Sequence, residues 1–167
     1  MSTKMSQGAV VDPGQSQEVV GEALPAWPKL SGADTGGAAF VFIGTLGPGS
    51  LVPPHTHSRE DEITYILEGT MSVELGEELV QAAAGAVVWK PRGQRHAIWN
   101  ATDEVVRYFE VVAPAGLEGF FAGVARLEAA GELRAEDAMA LARTHGLEFD
   151  MRHGAELAAR FNLRLPA

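Results

Sequence analysis

The chain has 167 residues, no cysteine and a formal net charge of −9, with a pI near 5.0. The missing thiols exclude disulfide scaffolds, thiolate zinc sites and cysteine nucleophiles and fit a reducing cytoplasm, while the acidity argues against nucleic acid or an anionic membrane as partner. At this length a single domain is the default, and no apolar run reads as a secretory leader or a bilayer span, so a cytoplasmic protein with a small-molecule partner is expected.

Residues 1–17 are rich in Ser, Gln and Gly and read as a flexible arm. Short strand-like pieces follow at Glu18-Val19-Val20 and from Ala23 to Leu30, where Pro25 and Pro28 confine them to edges or covering loops. Strands are expected over Ala38–Ile43, from Glu62 to Leu67, over Met71–Leu75 and Leu79–Gln81 around a Gly76-Glu77 hairpin, and then over Ala86–Trp89, Arg95–Trp99 and Val105–Val112. Short strands without intervening helices predict an antiparallel sandwich or barrel across residues 18–114. Beyond Pro114 the spacing changes. Leu117, Phe120, Phe121, Val124 and Leu127 predict a helix ending at Gly131, with further helices over Arg134–Thr144 and Ala155–Phe161. This tail, residues 115–167, is expected to cover the barrel or build an interface, and His145 and His153 read as ordinary polar residues within it.

The chemistry concentrates in residues 49–100. His55 and His57, at i and i+2 of an extended segment, present both imidazoles to one face, and Pro53 and Pro54 exclude helix just before them. Glu62 opens the next strand. If the two strands lie side by side, its carboxylate reaches the same point, and neutral imidazoles with a carboxylate suit a divalent transition metal. A Pro91-Arg92-Gly93 turn then places His96 near the start of a strand that can lie across from the other three. Four protein ligands leave positions for water or substrate on a metal that prefers five or six.

The spacing resembles the cupin superfamily. Gly49, His55, His57, Glu62 and Gly69 match its first motif without a mismatch, and Gly85, Pro91, Gly93, His96 and Asn100 match its second. The resemblance implies a jelly-roll β-barrel, to which the helices read from the spacing add a C-terminal α-helical extension, and one divalent metal per chain (Fe, Mn, Ni, Co, Cu or Zn) held by His55, His57, Glu62 and His96. Asn100 and the glycines would be turn and strand-end positions. The runs Glu60–Gly69 and 113–121 further resemble single-domain bacterial cupins of the quercetin 2,3-dioxygenase-like group.

Three functions follow as expectations. The first is a dioxygenase for a flavonol- or enol-type aromatic molecule, with Phe40, Phe42, Ile66, Ile98 and Tyr108 lining the pocket and Glu62 acting as both ligand and proton handler. The second is a redox-neutral isomerase or polyketide cyclase using zinc as a Lewis acid. The third is a non-catalytic small-molecule binding protein. A homodimer is also expected, because Ile63, Tyr65 and Leu67 would point away from the barrel interior.

Overall fold

The computed structural model describes residues 8, 10–12 and 25–165. Most of the expected arm, and the pieces at 18–20 and 23–24, lie outside the described residues. The elements run β1 (Ala26–Leu30), α1 (Gly32–Thr35), β2 (Phe40–Leu46), β3 (Leu51–His57), β4 (Asp61–Glu68), β5 (Thr70–Leu75), β6 (Glu78–Ala83), β7 (Val87–Lys90), β8 (His96–Trp99), β9 (Val106–Ala113), α2 (Glu118–Ala130), α3 (Ala135–Thr144), β10 (Leu147–Phe149) and α4 (Met151–Phe161). Two five-stranded antiparallel sheets, ordered β1-β2-β9-β4-β7 and β10-β3-β8-β5-β6, form the two walls of a jelly-roll barrel.

Period-two alternation sets the interior. In β9 the side chains of Val106, Tyr108, Glu110 and Val112 are buried while their neighbours are less so, and in β4 Glu62, Thr64 and Ile66 are buried while Ile63, Tyr65 and Leu67 are exposed. The main core, built around Phe40, Ile66, Met71, Val73 and Val106, fills the space between the sheets. A second cluster, Leu51, Ala97, Trp99 and Leu157, seals the other face of β3 and β8 beneath α4. That double cover explains why all four residues of β8 are buried. Gly69 closes β4 at φ 79°, where a Cβ would sit 2.9 Å from the Val105 carbonyl oxygen, so both the turn and the close approach require glycine.

Two expectations change here. First, β3 and β4 are not side by side: they belong to opposite sheets, and Glu62 faces the histidines across the barrel interior. Ser58–Glu60 crosses between the walls instead of forming a hairpin. Second, the tail is not purely helical. β10 adds to the edge of β3, pairing Leu147 with His57 and Phe149 with His55. Three residues are too few for a periodic signal, and the strand was hidden between two helices. The last helix starts at Met151, earlier than its apolar spacing suggested, because the Asp150 carboxylate caps the His153 amide (3.0 Å).

Candidate metal centre

Pro53 and Pro54 prepare the site. Lacking N–H groups, they interrupt the β3–β8 ladder between Val52 and His55, and their carbonyls turn to other donors. The Pro54 oxygen accepts from the Asp150 amide (2.7 Å), tying down the start of α4, and the Pro53 oxygen accepts from His55 Nδ1 (2.8 Å). The ladder resumes with His55 directly opposite His96. His96 Nδ1 donates to the Gln94 carbonyl (3.2 Å), so both rings present Nε2 to the interior. The Pro-x-Gly turn is anchored to the same strand, the Gly93 amide donating to the His57 carbonyl (2.8 Å).

One ligand-capable atom from each of His55, His57, Glu62 and His96 lies within 4.8 Å of the others, and all four residues are buried. Neither ring nitrogen of His57 nor His96 Nε2 makes a well-formed hydrogen bond. Their nearest polar contacts are carboxylate oxygens: Glu62 Oε1 at 3.3 Å from His57 Nε2, Glu62 Oε2 at 3.0 Å from His96 Nε2, and Glu60 Oε2 at 3.5 Å from His57 Nδ1. Burial, reinforced by the neighbouring imidazoles, pushes His55 well below the ordinary histidine range, and burial lowers His96 as well. Converging ring nitrogens of His57 and His96 that lack well-formed hydrogen bonds, beside one ionised carboxylate, fit a divalent transition metal.

A buried charge network backs the cluster on the opposite wall. Lys90 Nζ lies 2.9 Å from Glu62 Oε2 and 3.2 Å from Glu110 Oε1, and the Thr64 hydroxyl contacts both Glu110 oxygens at 2.9 and 3.1 Å. Burial pushes Glu62 up, but Lys90 and His57 outweigh it and hold the carboxyl well below its usual range. Glu110 moves the other way. Burial raises it to about 7 despite Lys90, with the Glu62 charge adding to the rise. Lys90 is held above its usual value, because the two carboxylates more than offset its burial.

A cavity of about 80 Å³ adjoins the cluster, lined by His55, His57, Glu62, Lys90, Tyr108 and Glu110 together with apolar groups. Of the five residues expected around the pocket, Phe42, Ile98 and Tyr108 stand on its wall, whereas Phe40 and Ile66 are packed in the core away from it. Phe40 lies behind, its ring centroid 5.2 Å from that of Phe42 and 6.0 Å from that of Phe121. The tail supplies Leu117, Phe120, Phe121, Leu147 and Phe149, whose ring lies 5.1 Å from His55. The tail, expected to cover the barrel or build an interface, thus also forms part of the cavity wall. Sequence reasoning passed over Lys90 and Glu110, although the alternation of β9 places Glu110 on the same face as Tyr108.

Three further polar positions are clarified. Glu60, in the segment that crosses between the two sheets, is buried beside His57. His153 is no bystander: its Nε2 contacts both Glu74 carboxylate oxygens at 2.9 Å, joining α4 to β5. Asn100 is fully buried, its amide nitrogen donating to the Leu46 and Glu104 carbonyls and its oxygen accepting from the Thr102 amide and hydroxyl. It closes a turn, as its place in the second motif suggested.

Residues 42–112 match the family described as Cupin domain. The chain is 32% identical over 80 residues to the tetracenomycin polyketide synthase protein TcmJ of Streptomyces glaucescens, covering 47% of this chain and 54% of that protein. It is 37% identical over 82 residues to germin-like protein 5-1 of Oryza sativa subsp. japonica, covering 45% of this chain and 36% of that one. The chain thus spans about half or less of the length of these curated relatives. Among solved structures, a predicted oxalate decarboxylase from Thermotoga maritima superposes with a TM-score of 0.53 at 28% identity, over 55% of this chain and 80% of that one. KdgF from Halomonas sp. superposes at 0.56 over 65% of this chain and 94% of that one, with 18% identity, a likeness of fold alone. With both motifs in place on a jelly-roll barrel, and the family match spanning all four clustered residues, residues 42–112 carry a cupin domain.

Proposed function

We propose that this chain is a metal-dependent enzyme that takes a small enol- or phenol-type aromatic molecule at the His55, His57, Glu62 and His96 centre and presents it to dioxygen. The observation that carries the reading is the convergence of four buried ligand atoms at an aromatic-walled cavity. A divalent transition metal held there would supply a Lewis acid that acidifies a coordinated hydroxyl and, if redox-active, a route to oxygen chemistry. The chain's own groups do the rest. Phe42, Phe120, Phe121 and Phe149 offer ring faces and exclude water, and Lys90 sets a fixed positive charge beside the place where a hydroxyl would ionise. Glu62, held ionised by Lys90, suits the ligand role, which leaves it a weak base. The cavity, at about 80 Å³, is smaller than the apolar cavity of about 150 Å³ that takes benzene, so even a single ring needs the tail wall to move, and a fused flavonol needs it to move further.

A redox-neutral cyclisation or isomerisation at the same centre is the second reading. It is favoured by the likeness to TcmJ and to the polyketide synthase protein CurC of Streptomyces cyaneus, 29% identical over 87 residues. Elemental analysis followed by oxygen uptake separates the readings. About one metal per chain, lost in His55→Ala and His96→Ala, with catechol-dependent oxygen consumption is the expected result. Turnover with zinc and no oxygen uptake would favour the second, and a wild type that cannot be loaded with any divalent transition metal would defeat both.

The quaternary proposal is a homodimer. Ile63, Tyr65 and Leu67 are exposed and lie beside Val87 and Trp89 of β7, themselves 64% and 62% exposed, in one apolar face that α4, packed on the other sheet, leaves uncovered. A second copy of this chain is the proposed cover.

A further inference from the structure

The cavity wall carries one more carboxylate than a four-ligand centre uses. Six ionisable groups line it: His55, His57, Glu62, Lys90, Tyr108 and Glu110. The first three belong to the ligand cluster. Lys90 is an ammonium between two carboxylates and has no lone pair to offer. Burial and the two nearby carboxylates push the Tyr108 hydroxyl up, so near neutral pH it is a donor. Glu110 alone is left with acceptor capacity facing the cavity.

We propose that Glu110 accepts the proton that an enol or phenol gives up on entering this cavity, with Lys90 and Thr64 holding its carboxylate in place. The inference rests on the substrate class proposed above. Its geometry is that of a group built to change protonation state. Glu110 is 1% exposed, so bulk water does not compete for it. The Thr64 hydroxyl can donate to the ionised carboxylate and accept from the protonated acid, and is therefore a partner in either state. Glu62 and Glu110 share one ammonium yet are driven in opposite directions, the first kept ionised and the second poised near neutrality. Such a divergence between adjacent carboxylates divides their roles, one remaining a charge and the other moving a proton. In the step, the substrate O–H bond breaks, its electron pair stays on the substrate oxygen, and a new O–H bond forms on Glu110. Nothing is oxidised or reduced, and the proton returns to product or water on release.

The test counts protons rather than turnover. Binding of catechol to the metal-loaded protein is followed by titration calorimetry in buffers of different ionisation enthalpy, for wild type and for Glu110→Gln, which retains the size of the side chain and an oxygen for Thr64. At pH about 8, where catechol is largely un-ionised, wild type should release close to no net proton and Glu110→Gln about one. As the pH falls through the range in which Glu110 of the loaded protein takes up its proton, the wild-type count should rise towards about one. That pH trend needs no variant and keeps the inference open to refutation if Glu110→Gln folds poorly. Equal proton counts in the two proteins, or a wild-type count flat with pH, would overturn the role of Glu110 while leaving the substrate class standing. No catechol binding to the loaded wild type would overturn the substrate class and this inference with it.

Discussion

Replacing Lys90 by Met should unbalance the barrel more than any other single change on its polar wall. Lys90 is 3% exposed and neutralises two buried carboxylates at 2.9 and 3.2 Å. Removing one partner of a buried ion pair strands the other and typically costs about 3–5 kcal/mol. For a domain of this size that corresponds to a fall in Tm of roughly 6–20 °C in the metal-free protein. Two compensations follow from the geometry. At a pH well above 7, where the stranded Glu110 carboxyl is ionised, Glu110→Gln in the Lys90→Met background removes that charge and should recover about 1–3 kcal/mol, a coupling readable from the double-mutant cycle. A divalent metal would neutralise Glu62 from the other side, so loading should shrink the deficit of Lys90→Met. Differential scanning calorimetry of the four proteins, with and without metal, provides the check. A Lys90→Met protein within about 0.5 kcal/mol of wild type, or a deficit indifferent to both compensations, would refute this account of the network.

The His153–Glu74 contact gives a pH signature. His153 is raised chiefly by its hydrogen bond to Glu74, with Glu156 adding to the rise and Arg95 opposing it, so its contribution is complete below the unfolded histidine value and is lost as pH rises through the folded one. Protection factors of the α4 amides, corrected for the intrinsic exchange rate at each pH, should therefore be larger at pH about 6 than at about 8.5, and His153→Gln should flatten the difference. Asn100→Ala should leave metal stoichiometry unchanged while costing about 1–3 kcal/mol in a denaturant titration, because the Leu46 and Glu104 carbonyls lose their donor. Phe149→Ala should admit larger ring compounds, seen as tighter binding of a two-ring than of a one-ring catechol relative to wild type. Trp89→Glu, by placing a charge in the apolar outer face, should give a monomer by light scattering where the wild type is a dimer, and a monomeric wild type would dismiss the proposed interface.

The ligand set was legible because its information is local: a two-residue repeat in an extended segment, a following strand and a Pro-x-Gly turn fix which way four side chains point. The outward set Ile63, Tyr65 and Leu67 was legible for the same reason. Which strands are neighbours is a different kind of information. The sequence reading put β3 beside β4 because they are adjacent in the chain, whereas jelly-roll pairing sends them to opposite walls and brings β8 and β10 to β3 from about 40 and 90 residues away. Glu110 and Lys90 escaped notice because a lone charged residue in a strand reads as an outward side chain until its alternating neighbours are seen to be buried. Phe40 and Ile66 were placed on the pocket because an inward direction does not distinguish the core end of a barrel from its open end.

The pairing of β10 with β3 also has a consequence in time. A ribosome makes His55 and His57 some 90 residues before the segment that borders them, so the nascent barrel first presents β3 as an open edge with free amides and carbonyls. Loop-closure entropy makes this late, long-range pairing a slow event compared with the Gly76-Glu77 hairpin. Chains interrupted before Leu147 would keep that edge and stand exposed to pairing with one another, so premature termination in the tail should yield aggregates rather than a smaller working barrel.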